Sequence, residues 1–132
     1  MPLAWIVDDD EEMSHAVQLM LRMLEYGVET YKDARVAARK LADGVGPDLI
    51  ILDINMPEVT GIDMLEYIRR PGGHRSLPVV MLSSETTDIQ VDEALAKGAD
   101  AFVFKPVTLD ELEGAIKKAR AAHGGGVNSE RG

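Results

Sequence analysis

The chain has no cysteine. That excludes a disulfide framework, a thiolate metal site and a cysteine nucleophile. It fits a reducing compartment such as the cytoplasm. Basic residues are scarce: 14 Lys and Arg stand against 23 Asp and Glu, a net charge of −9. Phosphate backbones need a basic stripe, so direct nucleic-acid binding is not expected. No apolar run is long enough to span a bilayer, and the first residues lack the charged and apolar regions of a signal peptide. The expectation is a cytoplasmic domain with no membrane partner. His15, His74 and His123 lie far apart without metal-ligand spacing and read as surface residues, and Gly124-Gly125-Gly126 lacks the Lys-Ser/Thr of a phosphate loop.

With 132 residues, the chain is the size of one domain. Its acids are clustered: Asp8, Asp9, Asp10, Glu11 and Glu12 are consecutive. Such a run is usually solvated surface, and Asp10 is placed to start a helix.

Strand and helix patterns alternate along the chain. Apolar runs at Leu3–Val7, Val28–Tyr31, Asp48–Asp53, Pro78–Leu82 and Ala101–Phe104 read as strands. Helical stripes lie between them: Met13, Val17, Met20, Leu21 and Leu24, stopped at Gly27; then Val36, Ala37 and Leu41 behind an Asp33 cap. Ile62, Leu65 and Ile68 follow, ended by Pro71-Gly72-Gly73, and then Val91 and Leu95, capped by Asp88 and stopped at Gly98. Thr108 and Glu111 form a capping-box pattern before Leu109, Leu112 and Ile116. This predicts an α/β fold of five βα units. Its unbroken apolar strands predict a parallel sheet covered on both faces. Residues 1–122 form the domain, and the Gly-rich residues 123–132 read as a flexible tail or linker remnant.

In such a sheet, ligands sit beyond the carboxyl ends of the strands. Asp8 and Asp9 follow the first strand, Asp53 ends the third, Ser83 follows the fourth and Lys105 the fifth. The topology therefore gathers three carboxylates, a hydroxyl and an ammonium. Oxygen-only donors select a hard cation such as Mg2+. A carboxylate can attack phosphorus, given a metal and a lysine to neutralise charge.

Four motifs carry a resemblance: IVDDD (6–10), DINMPEVTG (53–61), PVVMLSSE (78–85) and GADAFVFKP (98–106). Over residues 3–122 the chain resembles the receiver domain of two-component response regulators, of the chemotaxis-receiver kind. The resemblance implies a flavodoxin-like, doubly wound, five-stranded parallel sheet of order 2-1-3-4-5 with five helices. It implies Asp53 as phosphoacceptor and Mg2+ (or Mn2+) held by Asp8, Asp9, Asp53 and the backbone carbonyl of Asn55. Asp9 would bind the ion directly, and Asp8 largely through water. Lys105 would pair with the phosphoryl group, Ser83 and Phe102 would form the switch pair, and Lys105–Pro106 would be a cis bond. Phe102 is apolar where the family often has Tyr. Asn55 and Glu85 would tune dephosphorylation, giving a short-lived phosphoryl group.

The implied partners are a histidine kinase or phosphotransfer protein, a downstream effector protein or domain, and a phosphorylation-dependent homodimer. Such a domain is not a conventional enzyme, since it catalyses its own phosphoryl transfer and autodephosphorylation. Two other functions compete. An aspartyl-nucleophile phosphatase needs a general acid two residues after its nucleophile, where this chain has Asn55. A phosphorylation-independent interaction module would need none of the site residues that are present.

Overall fold

The computed structural model describes residues 1–84 and 88–124. Five strands alternate with five helices: β1 (Leu3–Val7), α1 (Glu11–Met23), β2 (Gly27–Tyr31), α2 (Ala34–Ala42), β3 (Leu49–Asp53), α3 (Gly61–Arg69), β4 (Val79–Ser83), α4 (Asp88–Ala96), β5 (Ala101–Phe104) and α5 (Leu109–Ala122). The strands form one parallel sheet of order β2-β1-β3-β4-β5. This is the architecture expected from the motif resemblance.

β1, β3 and β4 are interior strands and almost wholly buried. Side chains alternate between the sheet's faces, so each strand feeds two cores. Trp5, Val7, Ile50, Leu52, Val79 and Met81 pack with Ala37, Leu65, Ile68 and Ala94 from α2, α3 and α4. Ile6, Ile51, Val80 and Leu82 pack with Val17, Leu21, Leu112 and Ile116 from α1 and α5. Each large apolar side chain buried this way contributes about 1.5–3 kcal/mol relative to exposure.

The helix starts follow local chemistry. The Asp10 side chain caps α1 by accepting from Met13 N at 3.1 Å. Asp33 caps α2 by accepting from Arg35 N at 2.8 Å. The full capping box, however, stands at α3: Thr60 Oγ1 accepts from Asp63 N, and Asp63 Oδ2 accepts from Thr60 N. At α5 only half of the expected box forms. Thr108 accepts from Glu111 N, but the Glu111 carboxylate takes the Thr108 hydroxyl instead of the backbone amide.

Three expectations are corrected. α1 does not run to Gly27; it ends at Met23, and Glu25 makes the reversal with φ +69°. Gly27 instead opens β2, its N–H donating to Pro2 O. The α4 stripe is displaced, because Ala94 is fully buried while Leu95 is 47% exposed. Of the histidines read as surface, only His15 is exposed; His74 and His123 are half-buried and bonded. The cap expected of Asp88 and the tail from 125 to 132 lie outside the described residues.

The end of the sheet opposite the acids is held by a guanidinium. Arg69 donates to the carbonyls of Gly98, His74, Arg75 and Leu77 and to Asp100 Oδ2 at 2.8 Å. The same Asp100 oxygen accepts from Val79 N and contacts His123 Nε2, both at 2.9 Å. Gly98 leaves room for this arrangement, since a Cβ there would meet Arg69 Cγ at 2.8 Å.

Candidate functional site: an acidic cluster with a bridging lysine

The site is assembled at the carboxyl rim of the sheet by ladder hydrogen bonds that continue past the strand ends. Asp8 N donates to Tyr31 O at 3.0 Å, Ile54 N to Leu82 O at 3.0 Å, and Lys105 N to Ser83 O at 2.8 Å. These bonds keep the chain in register as each strand hands over to its loop. Residues dozens of positions apart therefore meet on one rim.

Asp8 and Asp53 are buried, and Asp9 is exposed. One carboxylate oxygen from each lies within 4.8 Å of the others. Lys105 Nζ stands 3.2 Å from Asp8 Oδ2 and 3.3 Å from Asp53 Oδ1, so it spans the buried pair. Asp8 Oδ1 accepts from Asp10 N at 2.9 Å, which orients the carboxylate. Asp8 Oδ2 is buried without a hydrogen-bond partner among the described residues. The Lys105 ammonium is its charged neighbour.

The titration of these groups follows from crowding. Burial pushes the Asp53 carboxyl up to about 6, and repulsion from Asp8 adds to it, against the pull of Lys105. Burial alone would lower the Lys105 ammonium, but Asp53 and Asp8 outweigh it and its pKa is raised. Three carboxylates face one ammonium, leaving an excess of two negative charges when all are ionised. An all-oxygen donor set carrying this excess of negative charge fits a small hard divalent cation.

The remaining residues stand close by in the chain. Ser83 is fully buried at the end of β4, paired in register with Phe104. Asn55 is exposed, two residues beyond Asp53. The Lys105–Pro106 bond is cis. Phe102 is half-buried on β5, packed against the core on the α2–α4 side of the sheet, its ring centroid 5.2 Å from that of Phe104. Glu85 lies outside the described residues.

The match is now decided at the family level. A model of the response regulator receiver domain fits residues 4–117. The chain belongs to the response regulator receiver family. As a receiver domain it is similar to the transcriptional regulatory protein KdpE of Mycobacterium tuberculosis, 34% identical over 126 residues, covering 92% of this chain and 54% of that protein. KdpE of Staphylococcus aureus is 30% identical over 112 residues, covering 85% of this chain and 47% of that protein. The chain thus spans about half the length of these relatives. Among solved structures, chemotaxis protein CheY4 of Vibrio cholerae superposes with a TM-score of 0.81 at 31% identity, covering 90% of this chain and 98% of that one. No helix among the receiver's described residues is long and apolar enough to cross a membrane.

Sequence reasoning missed the supports around this receiver site. Gly61 sits so close to Asp53 that a Cβ would lie 2.1 Å from the Asp53 carbonyl oxygen. The Gly61 N–H donates to Ile54 O at 2.9 Å, closing the loop that follows the aspartate. Glu58, within that loop, has φ +65°. A glycine eight residues after an aspartate at a strand end was the available signal.

Proposed function

We propose that this receiver accepts a phosphoryl group on Asp53 from the phosphohistidine of a histidine kinase or phosphotransfer protein. The observation that carries the reading is the convergence of Asp8, Asp9 and Asp53 within 4.8 Å, with Lys105 spanning Asp8 and Asp53. Asp8, Asp9, Asp53 and the Asn55 carbonyl would hold Mg2+ (or Mn2+), Asp9 directly and Asp8 largely through water. The cation, when bound, supplies positive charge against the phosphoryl oxygens.

The chain's own residues carry the rest. An Asp53 carboxylate oxygen attacks phosphorus; the bond from phosphorus to the donor imidazole breaks, and its electrons return to the ring nitrogen. Lys105 swings its ammonium from the buried carboxylate pair toward the transferred group. The Ser83 hydroxyl donates a hydrogen bond to a phosphoryl oxygen, and Phe102 responds on the adjacent strand. Hydrolysis by water, tuned by Asn55 and Glu85, resets the domain; loss of phosphate only over many hours would contradict that tuning.

The output surface is the flank formed by α4, β5 and α5. A groove of about 470 Å³ there is lined by Val91, Leu95, Phe102, Phe104 and Ala115. A downstream effector protein or domain, or a second copy in the phosphorylated state, would read this flank. We take residues 1–122 as the receiver, within a cytoplasmic signalling pathway.

The test is labelling with a small acyl phosphate, followed by intact mass measurement. A phosphoryl-sized gain that requires Mg2+ and disappears in Asp53→Ala supports the reading. Labelling elsewhere, or none in the wild type, overturns it.

A further inference from the structure

The loop after Asp53 contains one residue in a costly conformation, and that residue pairs with a side chain of α2. Glu58 has φ +65°, a region that side-chain-bearing residues other than Asn and Asp seldom occupy. Its carboxylate Oε2 lies 2.6 Å from Arg35 Nη2. The guanidinium is itself held by Asp33. Arg35 Nη2 donates to Asp33 Oδ2 at 2.7 Å, and Nε reaches Asp33 Oδ1 at 3.1 Å. Asp33 is fixed in turn, because it caps α2 through the Arg35 amide.

We propose that Arg35 is a positioning residue for the phosphoacceptor site: it pins Glu58 in the left-handed conformation and so fixes the loop that carries Asn55. The proposal rests on the phosphoacceptor reading above. Loop 54–60 begins at the residue after Asp53 and closes where the Gly61 amide meets Ile54 O. The Asn55 carbonyl would face the cation only when that closure is made. Arg35 touches neither the acid cluster nor the reacting oxygen, so it acts through Glu58 alone.

An exposed ion pair contributes little to global stability, and this one is exposed: the two side chains are 51% and 67% accessible. Its effect therefore falls on the population of the closed loop. Apparent affinity drops in proportion to the fraction of molecules with the competent loop. Glycine adopts a positive φ without a steric cost, so a glycine at position 58 removes the need for a pin.

The experiment compares wild type, Arg35→Ala, Glu58→Gly and the double variant. Mg2+ affinity is measured by calorimetry on unphosphorylated protein, and Gly61 amide exchange on the metal-free protein. Arg35→Ala is expected to weaken Mg2+ binding about threefold and to speed Gly61 exchange about threefold, with an unchanged melting midpoint. Glu58→Gly should bind as wild type does, and the double variant should match Glu58→Gly. Wild-type affinity in Arg35→Ala overturns the proposal, as does a double variant as weak as Arg35→Ala. Failure of the phosphoacceptor reading looks different, because the wild type itself would then take up no Mg2+.

Discussion

Gly61 rests on the backbone carbonyl of Asp53, at a distance where no side chain fits: an added Cβ would stand 2.1 Å from the oxygen and 2.8 Å from the carbonyl carbon. Both atoms are backbone, so no rotamer change relieves the clash. Gly61→Ala should destabilise the domain by about 3 kcal/mol, at the upper end of overpacking penalties. It should also displace Asp53 and slow its labelling. Urea denaturation gives the first quantity, and acyl-phosphate labelling of the folded fraction gives the second.

Asp53→Asn should stabilise the metal-free domain at neutral pH. The native carboxyl titrates at about 6, above its ordinary value of 3.8. Between those values the folded state binds the proton more tightly than the unfolded one, so wild-type stability falls as pH rises through the window. The loss is spread across that window, absent well below pH 4 and complete well above pH 6. Asparagine has no such titration. Melting curves in chelator should therefore coincide near pH 4 and separate by pH 7.5, with the variant higher. A constant separation at every pH would count against the upward shift that burial, with added repulsion from Asp8, imposes on Asp53.

Lys105→Ala separates charge neutralisation from ion binding. Removing the ammonium that spans Asp8 and Asp53 leaves the carboxylates uncompensated. Labelling of Asp53 should slow about a hundredfold, the usual effect of removing one charge-stabilising donor. Affinity for Mg2+ should hold or rise, because a competing cation has gone. Weaker Mg2+ binding in the variant would mean that Lys105 organises the acids and does not merely balance them.

Asp100→Ala tests the other end of the sheet. Its loss leaves the Arg69 guanidinium, with 12% of the side chain exposed, without its counter-charge, and removes the acceptor for Val79 N. Breaking such a buried pair costs about 3 kcal/mol. Labelling of Asp53 in the folded fraction should be unchanged, since Asp100 lies at the far rim. Denaturant midpoints and labelling rates together check the separation.

How much of this was legible in the chain depends on which physical rule each feature obeys. The strand ends could be read because β1, β3 and β4 are buried on both faces and appear as unbroken apolar runs stopped by polar residues. Once the sheet is parallel, Asp8, Asp53 and Lys105 must share a rim, and the structure brings them within salt-bridge distance. The α4 stripe misled because Ala94 serves as the buried contact and leaves the larger Leu95 outside. Size is a poor guide where a helix approaches a sheet closely. Glu25 and Glu58 take positive φ, and nothing in a glutamate announces it; the first is held by the end of α1 and the second by Arg35. The Arg69 hub was invisible for a similar reason, since most of its acceptors are backbone carbonyls, which every residue owns.

The hub has a spatial consequence. His123, the residue after α5, is moored to Asp100 beneath the amino ends of β4 and β5, while Asp53 stands at the carboxyl end of β3, on the opposite rim of the sheet. Five residues of β4 separate the two poles, roughly 16 Å of extended backbone. A module tethered beyond His123 would leave the domain at the pole opposite Asp53. The point of exit and the acid cluster are thus kept apart by the full length of the sheet.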